Sequence, residues 1–185
     1  MSGPKCFMAA RLTNRLARAQ KGRPWTSLSP PGRPCTVTKL DWAQDADKEA
    51  VLELVAEYHR QERLRGHDPE RLRVVLDDIM DNRSRGRILV ARDDGNIIGY
   101  ALVVRRPSFE WASDVAVLDE IFVRGRARER GLGRRMVAFI EEYAASEGLP
   151  AITLDVNHSN VAAREFYRAI GFYLIEREIY ARQVA

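Results

Sequence analysis

The chain has 185 residues, a formal net charge of +4 and two cysteines. This length fits one domain with a full hydrophobic core, and no apolar run approaches the roughly 18–20 residues that a membrane-spanning helix needs. Neither Cys6 nor Cys35 lies in a cluster of Cys or His with metal-ligand spacing, which argues against a zinc site and a disulfide framework. We therefore predict a cytoplasmic protein of a reducing compartment, with no bound metal and no membrane contact.

The positive charge belongs to the N-terminal segment. Residues 1–40 carry eight Lys or Arg and no acidic residue, which leaves the rest of the chain with a net charge of −4. We predict a basic, flexible tail at 1–34 and one folded domain at 35–185. Because the charge lies in the tail, it gives little support to nucleic-acid binding by the domain. An arginine-rich, acid-free segment is also typical of an organelle transit peptide, which stays an alternative.

The predicted elements follow the order β-αα-ββ-β-α-β-α-β. The helices show apolar residues three and four apart, and the first two neighbouring strands flank a turn rich in Asp and Gly. In chain order the elements are a strand at 36–40, a helix at 45–63, a helix that starts at Pro69, strands at 87–92, 96–106 and 113–123, a helix that starts at Gly131, a strand at 152–156, a helix at 160–170 and a last strand at 172–181.

This order predicts an α/β fold in which a mixed central β-sheet is flanked by helices on both faces. The strand at 152–156 follows a helix that follows the strand at 113–123, so the two strands should be parallel neighbours joined by a right-handed crossover. Ligands in such sheets bind beyond the carboxyl ends of parallel strands, where the sheet opens. We expect the segments that follow these two strands to form one site.

A glycine-containing turn follows the strand at 113–123. Gly131 and Gly133 allow the backbone to approach an anion closely, and the N–H groups at the start of the next helix then point at it. Four arginines crowd this turn, where each opposes the helix dipole by about 0.3–1 kcal/mol unless an anion binds. They are Arg128, Arg130, Arg134 and Arg135. We interpret the turn as a binding site for phosphate groups.

Three classes of phosphate site compete for this turn. A Walker loop ends in Gly-Lys-Ser/Thr, whereas Gly133 is followed by Arg134 and Arg135, so that nothing is placed to hold magnesium. A dinucleotide-binding turn needs a third glycine where Met136 stands, although Asp155 lies roughly where a ribose-binding acid is expected. That alternative stays open beside the third class, a cradle for the phosphates of a pantetheine cofactor.

Two motifs resemble the signatures of the GNAT superfamily of acyl-CoA-dependent N-acetyltransferases. The turn has that family's pattern R/Q-x-x-G-x-G/A, read here as Arg128-x-x-Gly131-x-Gly133. A helix and a strand later comes the family's pattern N-x-x-A-x-x-F-Y-x-x-x-G-F, read here as Asn160-x-x-Ala163-x-x-Phe166-Tyr167-x-x-x-Gly171-Phe172. One departure is Gly125, where many members carry proline. The ordered pair implies the GNAT fold from about residue 36 to the C-terminus.

The resemblance implies acetyl-CoA as the cosubstrate. Ile121, Phe122 and Val123 would line the pantetheine arm and pair with it like an added strand, and a backbone N–H near their end would hold the oxyanion. Asn160 would contact the pantetheine, or would only cap the helix that follows it. The implied cofactor-binding residues are Ile121, Phe122, Val123, Arg128, Glu129, Arg130, Gly131, Leu132, Gly133, Arg134 and Asn160.

Amine attack on a thioester requires a neutral amine and a proton for the departing thiolate. Tyr167 is the candidate acid, because a phenol is protonated at neutral pH and because the tyrosine of the family's F-Y pair commonly has this role. The alternative is that Tyr167 only packs beside Phe166 on an amphipathic helix.

The general base has two candidates among the acidic residues of the strand at 113–123. Glu120 is our first candidate and Asp119 the second, because the two lie on opposite faces of their strand and a bulge could exchange those faces. The three histidines, His59, His67 and His158, have a suitable intrinsic pKa but are typical surface residues.

We therefore expect an enzyme that moves an acetyl group from acetyl-CoA directly to a primary amine, in a small amine or polyamine, an amino acid or a protein. Two other functions stay open. One is a CoA-binding regulatory module without turnover, and the other is a nucleic-acid-binding protein that uses the basic tail. Edge strands in such domains often pair, so that a homodimer is a further expectation.

Overall fold

The computed structural model describes residues 38–62, 68–128 and 131–182. The predicted tail at 1–34, both cysteines and His67 lie outside these residues. A single 3-10 turn, Asp45–Asp47, precedes the first helix. The elements are β1 (Lys39–Trp42), α1 (Lys48–Glu62), α2 (Pro69–Asp81), β2 (Gly86–Asp93), β3 (Asn96–Ser108), β4 (Ser113–Val123), α3 (Gly125–Arg128), α4 (Leu132–Ser146), β5 (Ile152–Thr153) and α5 (Val161–Ala169).

The described strands form one sheet in the order β1-β2-β3-β4-β5. The first four strands are antiparallel, and β5 pairs with β4 in parallel. The hairpin between β2 and β3 turns at Asp94 and Gly95, which both have positive φ (48° and 80°), as a type I′ turn requires. The predicted mixed sheet is confirmed.

Each face of the sheet carries its own core. On one face α4 buries Met136 and Ile140, which are both 0% exposed, against the strands. On the other face α1 and α2 bury Val51, Leu54 and Ile79. Because both faces are covered, the middle of β2 is apolar without interruption, as in the sequence ILVA at 88–91.

A β-bulge interrupts the pairing of β4 with β3. Leu102 lies opposite Glu120 and Val103 opposite Leu118, so that Asp119 has no partner residue in β3. Side chains alternate between faces along a regular strand, and one extra residue reverses this alternation. Leu118 therefore packs on the α4 face, while Glu120 lies on the α1 face beside Tyr100.

The pairing between β4 and β5 is short. Only two residue pairs form the ladder, Ala116 with Ile152 and Val117 with Thr153. Beyond these pairs a cleft opens between the second half of β4 and the segment that follows β5. The predicted strand at 152–156 is thus shortened to its first two residues.

The predicted last strand at 172–181 is wrong. The segment has no strand pairing among the described residues, and several of its apolar side chains are exposed, including Tyr173, Leu174, Ile179 and Tyr180. The strand-like pattern of a segment is not sufficient, since a β-strand needs a neighbour whose backbone accepts and donates hydrogen bonds.

The described helices include none that is long and apolar enough to cross a membrane. No group of three or more His, Cys, Asp and Glu that could hold a metal ion occurs in the part of the chain that the structure describes.

Met136 tests the contribution of the α4 core to stability. We expect Met136→Ala to lower the free energy of unfolding by about 2–5 kcal/mol, because truncation leaves a cavity in a fully buried position. Met80→Ala is the matched control, since Met80 at the end of α2 is only partly buried. Urea denaturation measures both variants, and equal losses would contradict the placement of Met136 in the core.

Candidate active site

The cleft beyond the ends of β4 and β5 has a volume of about 420 Å³. Helices α1, α4 and α5 contribute to its walls. It is lined by Tyr58, Glu62, Leu118, Asp119, Glu120, Ile121, Phe122, Val123, Gly131, Gly133, Arg134, Asp155, Val156, Asn157, Asn160, Ala163, Phe166 and Tyr167. Both candidate catalytic residues and most of the predicted cofactor-binding residues therefore meet in one place.

The side chains of three predicted cofactor-binding residues lie outside the described structure. Arg128 ends α3, but its side chain lies outside the described structure, as do Glu129 and Arg130 altogether. Leu132 is described and is 2% exposed, because its side chain packs into the α4 core. Only its backbone could take part in binding an anion.

The glycine turn has the conformation that its residue types predict. Gly131 is the N-cap of α4 with φ +67° and ψ 15°, the left-handed region that favours glycine. A glycine N-cap offers no side-chain acceptor to the first N–H groups of the helix, so that this helix start is suited to an anion. A Cβ on Gly133 would lie 3.5 Å from the ring of Phe166, an ordinary contact distance.

The two arginines that follow the turn have different roles. Arg134 lines the cleft, and its guanidinium lies 3.5 Å from the carbonyl oxygen of Ala169 at the end of α5. Arg135 points away and donates a hydrogen bond of 2.6 Å to the carbonyl oxygen of Thr38. Arg135 therefore ties α4 to the start of the domain.

Asn160 is the N-cap of α5, as its residue type predicts. Its Oδ1 atom accepts a hydrogen bond of 3.1 Å from the backbone N–H of Ala163. The same side chain borders the cleft, which leaves the amide nitrogen as the group for a ligand contact.

Tyr167 lies in the cleft wall with its ring held edge-on between two aromatic rings. The ring centroids of Phe166 and Phe172 are 5.2 Å and 5.5 Å away. Burial, followed by the nearby Tyr58, raises the pKa of Tyr167 to about 12. The hydroxyl is thus a proton donor throughout the neutral range.

Glu120 reaches the cleft from the bulged part of β4. Its Oε2 accepts a hydrogen bond of 2.6 Å from the hydroxyl of Tyr100, and its Oε1 lies 3.4 Å from Nε2 of His59. Asp119, the extra residue of the bulge, also lines the cleft. Partial burial, then the charges of Glu120 and Asp155, raise the pKa of the Asp119 carboxyl.

His158 does not border the cleft. Its side chain is exposed, and its carbonyl oxygen accepts a hydrogen bond from Arg164. His59 is the histidine that the fold brings to the candidate site.

Sequence reasoning missed Tyr100 as a partner of the candidate base and Tyr58 as a wall of the cleft. A signal was present, because a tyrosine in the aliphatic strand NIIGYALVV must find a partner for its hydroxyl when it is buried. Which partner it finds depends on the pairing of β3 with β4.

Residues 48–172 match the Acetyltransferase (GNAT) family. The chain therefore belongs to this family of acyltransferases and is a GNAT-type N-acetyltransferase.

Among its relatives, an uncharacterized N-acetyltransferase of Bacillus subtilis (strain 168) is 28% identical over 132 residues, 70% of this chain and 86% of that protein. An aminoglycoside N(6′)-acetyltransferase type 1 of Serratia marcescens is 26% identical over 118 residues, 62% of this chain and 81% of that protein. A D-amino-acid N-acetyltransferase of Saccharomyces cerevisiae is 26% identical over 97 residues, 52% of this chain and 60% of that protein.

Solved structures share the fold. The aminoglycoside N-acetyltransferase AAC(6′)-Iy in complex with CoA superposes with a TM-score of 0.68 at 23% identity, over 85% of this chain and all of that one. A possible acetyltransferase from Clostridium difficile 630 superposes with a TM-score of 0.72 at 13% identity, over 80% of this chain and 98% of that one.

Gly131 tests the glycine turn. We expect Gly131→Ala to weaken acetyl-CoA binding, because a side chain at φ +67° costs about 1–2 kcal/mol and distorts the helix start. Gly148→Ala is the matched control, since Gly148 follows α4 with the same φ and also has no atom within 4 Å of an added Cβ.

Isothermal titration with acetyl-CoA measures binding, and thermal melting measures stability. Both variants should lose similar stability, whereas only Gly131→Ala should lose affinity. Equal affinities would show that the turn does not bind the cosubstrate.

Proposed function

We propose that this protein transfers the acetyl group of acetyl-CoA directly to the amine of a cationic acceptor, with Tyr167 as the acid and Glu120 as the base. The observation that supports this proposal is their meeting in one cleft with the glycine turn. Each of the three groups comes from a different element, namely α5, β4 and the start of α4.

The cleft suits the cosubstrate. Its volume of about 420 Å³ falls in the range of roughly 300–1,000 Å³ that small-molecule sites occupy. The Gly131 turn and Arg134 belong to the lining and would hold the phosphates. The segment Ile121–Val123 would line the pantetheine arm, since β4 extends past its last pairing with β5.

The reaction needs three proton movements. The acceptor arrives as an ammonium, and Glu120 takes one of its protons so that the neutral nitrogen can attack the thioester carbon. The carbon–sulfur bond then breaks, and Tyr167 donates its hydroxyl proton to the departing thiolate of CoA. The Tyr167 phenolate takes the remaining excess proton from the nitrogen, which leaves a neutral amide and restores the phenol. Because burial raises the pKa of Tyr167 to about 12, its hydroxyl holds its proton at neutral pH and has it available for this step.

The charge of the lining favours a cationic acceptor. Four carboxylates, Glu62, Asp119, Glu120 and Asp155, border the cleft, whereas Arg134 is the one lining cation among the described residues. The named relatives act on aminoglycosides and on D-amino acids. A molecule with several ammonium groups would satisfy more of these carboxylates than a monoamine.

Release of free CoA, followed with a thiol-reactive dye, tests the activity. The panel should contain an aminoglycoside, a polyamine, D- and L-amino acids and a peptide with a free N-terminus, each with acetyl-CoA. Stimulation by one cationic class supports the proposal. If acetyl-CoA raises the melting temperature and no cationic amine of the panel stimulates release, the proposed acceptor class is wrong.

Tyr167→Phe tests the acid. We expect kcat to fall about 100- to 10,000-fold, because general-acid catalysis is lost, while the Kd for CoA changes little. Tyr173→Phe is the control, because Tyr173 follows α5 and is 68% exposed, so its kcat should not change. An unchanged kcat in Tyr167→Phe would remove this residue from the mechanism.

The pH dependence gives a second test of the acid. Burial raises the pKa of Tyr167 to about 12, so the hydroxyl keeps its proton at pH values at which an ordinary tyrosine ionises. We expect kcat to show no loss from ionisation of Tyr167 between about pH 7 and about pH 10. A decline in this range that disappears in Tyr167→Phe would contradict the raised pKa, because it would place the ionisation of Tyr167 below about pH 10.

A further inference from the structure

The carboxylate of Glu120 is contacted by two side chains, Tyr100 and His59, that do not line the cleft. The hydroxyl of Tyr100 donates to Oε2 at 2.6 Å, and Nε2 of His59 lies 3.4 Å from Oε1. Tyr100 is 1% exposed, and the side chain of His59 is 13% exposed. The two contacts come from β3 and α1, so that both carboxylate oxygens are placed by elements other than β4.

The bulge creates the contact with Tyr100. Tyr100 lies opposite Phe122, and the next residue on the same face of β3, Leu102, lies opposite Glu120. The tyrosine hydroxyl therefore reaches diagonally to the carboxylate. Burial, then the charge of Glu120, raises the pKa of Tyr100 far above its ordinary value, so that its hydroxyl stays a donor wherever the protein is folded.

The contact with His59 connects the same carboxylate to α1. Tyr58 and Glu62 of this helix line the cleft, whereas His59 turns toward Glu120. Helix α1 therefore contributes both to the wall of the cleft and to the orientation of the Glu120 carboxylate.

We propose that Tyr100 and His59 are positioning residues that hold the carboxylate of Glu120 toward the ammonium group of the acceptor. A carboxylate on an unsupported side chain samples several rotamers, and only some of them face the cleft. Two hydrogen-bonding partners on rigid elements select one rotamer and reduce the cost of ordering the base for each turnover. This inference rests on the proposed role of Glu120.

Tyr100→Phe removes the hydroxyl and keeps the ring. We expect kcat to fall about 10-fold, because a hydrogen bond to a charged group is lost, while the KM for acetyl-CoA changes less than about 2-fold. Tyr143→Phe is the matched control, since Tyr143 is also buried, at 8% exposure, but lies in the α4 core. Its kcat should equal that of the parent protein.

Two substitutions of His59 distinguish a positioning role from a packing role. His59→Gln places an amide nitrogen near the position of Nε2, whereas His59→Leu keeps an apolar side chain of similar size. We expect the Gln variant to retain kcat within about 3-fold and the Leu variant to lose about 10-fold. Equal kcat values in the two variants would show that His59 only packs.

Combination with Glu120→Gln tests whether both residues act through Glu120. In that background Tyr100→Phe and His59→Leu should lower kcat by less than a further 2-fold or so, because residues that act as a unit are not additive. Multiplicative losses would overturn the inference. The assays use acetyl-CoA and the fastest amine of the panel, with melting temperature as the check on folding.

The outcomes distinguish this inference from the proposed function. Full activity in Glu120→Gln would remove the base from the mechanism itself. If Glu120→Gln has a low kcat and Tyr100→Phe has the kcat of the parent protein, only the positioning role of Tyr100 is wrong. A crystal structure of Tyr100→Phe needs no acceptor: we expect the Glu120 carboxylate to occupy more than one rotamer, and one unchanged rotamer would overturn the inference.

Discussion

The β-bulge at Asp119 is the constraint on which the candidate active site depends. In a regular strand Leu118 and Glu120 would share a face, and Glu120 would lie under α4 among apolar side chains. Burial of an unpaired carboxylate there would cost several kcal/mol. The extra residue instead leaves Leu118 in the α4 core and places Glu120 on the α1 face, where Tyr100 and His59 contact it.

The rest of the site follows from the shortness of the β4–β5 ladder. Pairing stops at Val117 and Thr153, and the starts of α4 and α5 lie at the same end of the sheet. One opening therefore joins a glycine turn, an acidic wall and the Tyr167 hydroxyl. The apolar surroundings that stabilise α5 against the sheet also raise the pKa of Tyr167. The contacts that pack Tyr167 against the core are therefore also those that keep its hydroxyl protonated for the proposed reaction.

The features that sequence predicted well are local. The positive φ of Gly131, the N-cap at Asn160 and the turn at Asp94 each depend on one residue type and its immediate neighbours. The predicted strand at 172–181 failed, because a strand pattern does not say whether an edge is available to pair with it. The sequence also does not determine which face Glu120 occupies, since a bulge is a property of two paired strands.

By itself the sequence determined the order of the elements from β1 to α5 apart from the short α3, the mixed sheet and the glycine turn that precedes α4, because these depend on hydrophobic period and on residues close together in the chain. Only the tertiary structure decided the partners of Glu120, since Tyr100 is 20 residues away and His59 is 61 residues away. Their meeting requires the register of β3 against β4 and the docking of α1 on the sheet. These arise from the packing of the whole core, which no local pattern encodes.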